Sequence, residues 1–256
     1  MPHISYSELK DWKFCPFYHK LTRIDKIEGF TGNVYTAFGT AIHSVCEKKL
    51  LNEEGDHEQH FIDTFADCIS DLDDSTDVDS RLVTAMVGQG KKIIPEIEDA
   101  LDEYFEEYEV LAVEMPLMEP IADEEHKFKG YIDAIVSTPD GKVHIFDWKT
   151  CSWGWNAQKK SDKIVTYQLT LYKHYFCQKM NVDPKDVETH FALLKRTAKK
   201  NHVEFFRVTS GPKKTENALK LLNTALYNIK NQRYIKNRLS CTGGYGCKFY
   251  KTEHCP

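Results

Sequence analysis

The sequence lacks several features that define large functional classes. It has no apolar run long enough to cross a bilayer, no secretory leader, no internal repeat and no low-complexity tract. A Walker phosphate loop is also missing, which argues against a nucleotide-driven motor. Basic residues are not in excess: 34 Lys and Arg against 39 Asp and Glu give a net charge of −5, so bulk attraction to a polyanion is not expected. The 256 residues are 41% hydrophobic, which is enough for a sizeable core.

Two segments that are rich in β-branched and aromatic residues predict a β-hairpin. They are residues 128–136 and 143–149, and Pro139-Asp140-Gly141 between them is a turn signal. Pairing of the two strands would bring Asp133 close to Asp147. The hairpin therefore predicts two neighbouring carboxylates.

The residues of this hairpin suit metal-dependent phosphodiester hydrolysis. Carboxylate oxygens bind hard cations such as Mg²⁺ and Mn²⁺, which polarise a phosphate and activate water. Lys149 shares the strand face of Asp147, where its amine could hold the attacking water or stabilise the charge on the phosphate. An isolated Asp-x-Lys pair is far more often an ordinary charged hairpin, so this interpretation depends on further residues.

Further polar candidates lie in other predicted elements. A charge inside an apolar strand is costly unless it is paired or binds metal, and helical residues four apart share a face. These rules single out Glu114 in a strand over 110–117, Gln168 and Tyr172 in a helix from Tyr167, and His43 one turn into a helix from Phe38.

Taken in order, the candidates resemble the RecB-like branch of the PD-(D/E)XK nuclease superfamily. The matching motifs are Gly39-x-x-x-His43, Glu114, Gly130-x-x-Asp133, Asp147-x-Lys149 and Gln168-x-x-x-Tyr172. The resemblance implies an α/β fold of the restriction-endonuclease type, with a mixed central sheet flanked by helices. It also implies roles for the residues: His43, Glu114, Asp133, Asp147 and the Trp148 backbone carbonyl would bind metal, Lys149 would assist the nucleophile, and Gln168 with Tyr172 would orient the site or the DNA.

The eight cysteines form a second pattern. Without a secretory leader we expect a reducing cytoplasm and no disulfides. Cys46, Cys68, Cys151 and Cys177 lie in helical or strand-end patterns and are simplest as buried or free thiols. Cys15 lies at the end of a predicted helix that starts with a capping box (Ser5 and Glu8) and is terminated by Pro16. Cys241, Cys247 and Cys255 crowd the C-terminal tail.

One N-terminal and three C-terminal cysteines resemble the iron–sulfur variant of the same branch, found in CRISPR-associated RecB-like exonucleases and AddAB-type nucleases. The resemblance implies a [4Fe–4S] cluster on Cys15, Cys241, Cys247 and Cys255 that pins the chain ends together. The intervals of five and seven residues between the last three cysteines depart from the shorter spacing usual in that variant. Zinc on the same thiolates and unliganded thiols therefore stay open as alternatives.

The pattern of elements suggests one nuclease domain over 1–256. We expect an N-terminal helix with the first cluster cysteine in 1–37, and a helical part in 38–108 that is interrupted by an acidic loop at 71–77 and could arch over the site. A catalytic α/β core follows in 109–210, and a last helix over about 213–236 with the Cys-rich tail completes 211–256.

Basic and aromatic residues near the Asp-x-Lys strand suggest a DNA surface. Lysine runs are usually solvated faces, but aromatic rings beside them suit base stacking and phosphate neutralisation. The predicted DNA contacts are Trp153, Trp155, Lys159, Lys160, Lys195 and Arg196. This combination favours DNA that is single-stranded or has free ends.

Together, these observations predict a Mg²⁺- or Mn²⁺-dependent DNA exonuclease of phage or CRISPR type in replication, recombination or repair. The preference for exonuclease over endonuclease rests on the family resemblance alone. The alternatives are a catalytically silent DNA-binding or assembly subunit and a nuclease whose main substrate is RNA, although the sequence has no recognisable reader of the 2′-hydroxyl group. The resemblance is also compatible with binding to partner proteins from recombination, replication or CRISPR pathways, and with assembly of the protein into a homo-oligomer.

Overall fold

The computed structural model describes residues 2–27, 32–74, 76–243 and 246–256. Its helices are α1 (Tyr6–Phe14), α2 (Pro16–His19), α3 (Val34–Leu50), α4 (His57–Ser70), α5 (Ser80–Ile93), α6 (Glu96–Phe105), α7 (Ala157–Ser161), α8 (Lys163–Met180) and α9 (Pro212–Lys230). Its strands are β1 (His3–Ser5), β2 (Glu109–Pro120), β3 (Lys127–Ser137), β4 (Val143–Cys151), β5 (Val187–Lys195) and β6 (Val203–Arg207). Among the described residues, none of the helices is both long enough and apolar enough to span a membrane.

The chain divides into two compact units. The smaller unit consists of Met1–Phe30, Met118–Gly130 and Gly211–Pro256, and the larger unit consists of Thr31–Leu117 and Tyr131–Ser210. Strands β2 and β3 contribute residues to both. The sequence-based expectation of one domain over 1–256 stays a prediction.

The larger unit contains a mixed sheet. The predicted hairpin is present as antiparallel β3 and β4, β4 pairs with β5 in parallel, and β5 pairs antiparallel with β6. A parallel pair needs a crossover connection, and the chain between β4 and β5 supplies it with α8. Strand β5 is buried along nearly its whole length, as is usual for a strand with both faces covered. The predicted α/β class with a mixed sheet and flanking helices is confirmed.

Helices α3 to α6 form a packed layer on this sheet. Phe38 of α3 contacts Phe61 and Phe65 of α4, and their core continues into Phe146 and Trp148 of β4. This helical part buries its apolar face directly against the strands, and the expected arch over the site stays a prediction. The acidic loop over 71–77 does separate α4 from α5, except that Ser75 lies outside the described residues.

Three helix limits differ from the sequence prediction. Asn33 caps α3, since its Oδ1 accepts the backbone N–H groups of Tyr35 and Thr36, and the helix begins four residues before Phe38. Asp162 similarly caps α8, which starts at Lys163. Helix α9 ends at Lys230 and not near 236, because the chain turns at Gln232, which has a φ of +53°.

The smaller unit brings distant parts of the chain together. Strand β1 pairs in parallel with the first residues of β3, His3 opposite Lys127, and α1 packs against α9. Ser5 caps α1 by accepting the Glu8 N–H, but the Glu8 carboxylate bonds to the buried His19 at 2.8 Å, so only half of the predicted capping box forms.

Candidate active site

The hairpin places the two predicted aspartates opposite each other. Ala134 of β3 is paired with Phe146 of β4, so the antiparallel register puts Asp133 beside Asp147 at the next position. The Asp133 Oδ2 accepts the backbone N–H of Trp148 at 2.8 Å, which fixes its carboxylate against β4. The Trp148 indole is buried in the core. The role of the Trp148 backbone carbonyl as a metal ligand stays a prediction.

Lys149 and two residues of α8 hold the buried Asp147. The Lys149 ammonium forms an ion pair with Asp147 Oδ2 and is 31% exposed, so the amine also reaches solvent. The Gln168 amide donates to Asp147 Oδ1 at 2.6 Å and to the Tyr172 hydroxyl at 3.2 Å. The helical spacing of Gln168 and Tyr172 thus builds one hydrogen-bonded group around the carboxylate.

His43 reaches the same aspartates from α3. Its Nδ1 lies 3.7 Å from Asp133 Oδ2. Burial, with a smaller contribution from Lys149, lowers the pKa of His43 to about 4, so the imidazole is neutral at pH 7. A neutral imidazole has a free lone pair and is the form that binds a metal ion.

Glu114 differs from its sequence-based description. The apolar run predicted a buried carboxylate, but the structure exposes Glu114, because alternate residues of β2 face solvent. Its backbone has a φ of +46°, a left-handed conformation that is rare for a residue with a side chain and often found at functional sites. The pKa of Glu114 is nevertheless raised, first because part of the side chain is shielded from water, and then by the charges of Glu47 and Asp147. The carboxylate therefore lies close to other acids.

Glu47 is a neighbour that the sequence analysis missed. It follows His43 by four residues on α3 and therefore shares a helix face with it, which is the signal that could have identified it.

The electrostatics of the acidic group favour a bound cation. Burial and the charge of Asp147 raise the pKa of Asp133 well above its usual value, and burial also raises the pKa of Asp147, although Lys149 opposes both changes. Carboxylates this close to each other repel, and a bound divalent cation would reduce the repulsion by adding positive charge. Several carboxylate oxygens and one neutral imidazole are suitable ligands for Mg²⁺ or Mn²⁺.

Comparisons with known proteins identify the family. The family model described as PD-(D/E)XK nuclease superfamily matches residues 3–255. The chain belongs to this superfamily. Nucleases of the superfamily use divalent metal ions, in agreement with the acidic group described above.

The likeness to one solved structure supports the same fold. A "putative exonuclease" from Eubacterium rectale has a TM-score of 0.57 at 16% sequence identity, over 93% of this chain and 85% of its own. The structure of SSO0001 has a TM-score of only 0.34 at 14% identity, over 86% of this chain and 84% of its own. No curated protein sequence matches the chain.

The two tryptophans that follow β4 in this nuclease-fold chain have different surroundings. Trp153 is 79% exposed. Trp155 packs its ring against Phe191 and Phe206, and the Lys159 ammonium lies 5.4 Å from the centre of that ring. Of the two rings, Trp153 is thus the one free to stack on a nucleic-acid base.

The predicted basic residues are partly neutralised. Glu204 of β6, which the sequence analysis did not single out, pairs with Lys160 at 2.5 Å and with the buried Lys195 at 3.0 Å. The guanidinium of Arg196 lies over the Tyr35 ring, 4.8 Å from its centre. Lys160 and Lys195 therefore already have an anionic partner within the protein. The roles of all these residues in DNA binding stay predictions.

In the smaller unit, the four predicted cluster cysteines line one cavity of about 140 Å³. Aromatic side chains, two basic residues, Leu21, Ser240, Thr242 and Pro256 form the rest of its lining. Cys15 Sγ accepts the backbone N–H of Asn237 at 3.2 Å, and the sulfur of Cys247 accepts the backbone N–H of Phe249. The other four cysteines lie in α3, α4, α8 and at the end of β4, and no two of the eight cysteines are joined in a disulfide.

Proposed function

We propose that this protein is a metal-dependent DNA exonuclease that hydrolyses phosphodiester bonds. The observation that carries the proposal is the group formed by Asp133, Asp147 and Lys149, with Gln168 bonded to Asp147 and His43 beside Asp133. The acids and the amine are the residue types that metal-assisted attack of water on a phosphate requires. The preference for DNA ends is supported by the family resemblance and by the description of the Eubacterium rectale neighbour as an exonuclease.

The residues divide into three roles. Asp133, Asp147, Glu114 and His43, with the Trp148 carbonyl, would hold Mg²⁺ or Mn²⁺, which when bound activates water and neutralises charge on the leaving oxygen. Lys149 extends from the pair with Asp147 toward solvent and can donate a hydrogen bond to a phosphate oxygen or to the attacking water. Gln168, bonded to Tyr172, keeps Asp147 in one orientation.

A [4Fe–4S] cluster on Cys15, Cys241, Cys247 and Cys255 is the second part of the proposal. Its support is the shared cavity of the four thiols, together with N–H···S hydrogen bonds of the kind that stabilise metal-bound thiolates. Zinc on the same thiolates is the alternative occupant. Cluster or zinc would have a structural role, since it would join the two ends of the chain within the smaller unit.

The proposed setting is the reducing cytoplasm, of a host cell if the protein is viral. Replication, recombination, repair or CRISPR immunity would supply DNA with free ends and partner proteins. Eight cysteines without a disulfide among them suit a reducing compartment.

The test is cleavage of labelled linear single-stranded and double-stranded DNA, matched RNA and closed circular DNA, with Mg²⁺ or Mn²⁺. We expect the parent protein to degrade linear DNA and spare circles, Lys149→Ala to lose activity by at least about a hundred-fold, and the exposed Lys92→Ala on α5 to behave as the parent. Cleavage of circles would indicate an endonuclease, and faster cleavage of RNA would change the substrate. No cleavage under any condition by protein with its cluster intact would favour the silent DNA-binding subunit.

A further inference from the structure

A second cluster of ligand-type side chains lies in the larger unit. His144 of β4 is paired with Glu188 of β5, and His190 follows Glu188 by two residues on the same face of β5. One ligand atom from each of the three residues lies within 4.8 Å of the others. Asp147 is three residues after His144, so its side chain lies on the opposite face of the sheet. The cluster is therefore separate from the candidate active site.

The two imidazole rings of this cluster face each other. His144 Nδ1 lies 3.0 Å from His190 Nε2, and both side chains are buried. The short distance between these two nitrogens makes both of them candidate ligands for one metal ion.

A hydroxyl group holds the outer nitrogen of each ring. Thr138 Oγ1 lies 2.9 Å from His144 Nε2, and the Tyr104 hydroxyl lies 3.0 Å from His190 Nδ1. When these hydroxyl oxygens accept the outer N–H groups, the inner nitrogens direct two lone pairs at one point. Oxygen acceptors on the outer nitrogen are the usual means by which proteins orient a metal-binding histidine. The alternative is a metal-free chain in which one ring donates its N–H to the other.

Glu188 provides the third ligand and the route to solvent. Its side chain is 20% exposed, and the Arg207 guanidinium bonds to its Oε1 at 2.8 Å. The carboxylate has a second oxygen that this pair does not require. Two imidazole nitrogens with one carboxylate form a donor set that suits zinc and similar ions better than Mg²⁺.

We propose that His144, Glu188 and His190 form a binding site for a transition-metal ion of the zinc class, with solvent in the fourth position. Such a site would join β4 to β5 and, through Tyr104, to α6. The inference goes beyond the proposed nuclease function and does not depend on it.

The test is zinc binding by the whole protein, with its cysteine cofactor retained and with excess Mg²⁺ present to compete at the acidic site. Zinc per chain is counted by elemental analysis after gel filtration, and affinity is measured against a chromophoric chelator. The variants are Glu188→Gln and His190→Gln, with His174→Gln on α8 as the matched control. We expect the two site variants to bind one zinc fewer per chain than the parent and the control.

Glu188→Gln keeps the test valid if His190→Gln fails to fold, because Glu188 lies outside the hydrogen bonds that join the two rings to Thr138 and Tyr104. Tyr104→Phe, which removes one orienting hydroxyl, should lower zinc affinity by about ten-fold or more. Equal zinc content and affinity in the parent and Glu188→Gln would overturn the proposal. Because the readout is binding, it is independent of whether the parent cleaves DNA.

Discussion

At the scale of single residues, the buried acidic pair controls how the metal-free protein responds to pH. Asp133 and Asp147 are held in place by hydrogen bonds from Trp148 and Gln168, so they cannot move apart to reduce their repulsion. The raised pKa of Asp133 means that the folded state binds a proton more tightly than the unfolded state does. This contribution to stability is present at low pH and is lost as pH rises above about 4, the usual pKa of an aspartate.

We predict that Asp133→Asn is more stable than the parent at pH 7 in chelator, by about 1–2 kcal/mol, because asparagine keeps the bond from the Trp148 N–H without a charge. Urea denaturation at several pH values measures this difference, which should shrink toward pH 4. Mg²⁺ should stabilise the parent and not the variant. An identical pH dependence of the two proteins would contradict the prediction, and the exposed Asp99→Asn on α6 is the control.

The two tryptophans after β4 should respond differently to truncation. We predict that Trp153→Ala weakens binding of single-stranded DNA by about 1–3 kcal/mol per stacked base lost, because this ring is 79% exposed. Trp155→Ala should instead lower the melting temperature, since its ring packs on β5 and β6. Binding titrations and thermal melts separate the two effects, with the exposed Tyr227→Ala as the aromatic control. Unchanged affinity of Trp153→Ala would remove this ring from the DNA surface.

At the scale of elements, helix α5 packs closely on α4 at a glycine. A Cβ built on Gly90 would lie 2.2 Å from the buried Phe61 ring, whereas a Cβ on Gly88 would have no neighbour within 4 Å. We predict that Gly90→Ala destabilises the protein by about 1–3 kcal/mol through overpacking. Gly88→Ala should stabilise it by up to about 1 kcal/mol, because alanine favours a helix. Denaturant melts of the two variants make the comparison, and equal effects would contradict it.

The elements also show what the sequence could predict. The hairpin of β3 and β4 was predictable because its β-branched residues and Pro139-Asp140-Gly141 turn are local signals. The caps at Asn33 and Asp162 are local as well, but an apolar pattern alone does not reveal them. The exposure of Glu114 and the ion pairs of Glu204 were not predictable, because they depend on which strand edges and faces meet in the folded chain.

At the scale of the whole molecule, the four-thiol cavity is expected to determine the stability of the smaller unit. We predict that Cys247→Ala lowers the melting temperature and removes the visible absorption of an iron–sulfur cluster, because it removes one of the four proposed ligands. Cys68→Ala, in α4, should change neither. Thermal melts, absorption spectra and iron and zinc analysis test the prediction. A Cys247→Ala protein that is as stable as the parent but has lost all cleavage would contradict a structural role.

The division into two units could not be predicted from the sequence. It depends on the pairing of His3 with Lys127 and on the packing of α1 against α9, which join residues more than a hundred positions apart. A three-residue strand gives no periodic signal of its own. Five short motifs with weak individual signals nevertheless identified the superfamily, because their order along the chain is itself information.

The segment order of the smaller unit has a consequence for biosynthesis. Its three segments enclose those of the larger unit in the chain, so the ribosome completes the sequence of the larger unit, through Ser210, before it makes α9 and Cys241, Cys247 and Cys255. Domains generally fold as units during synthesis, and contacts between distant residues form slowly. We therefore expect the nascent chain to fold its larger unit first. Assembly of the four-thiol cavity, and any cofactor insertion into it, would then come after the larger unit has folded.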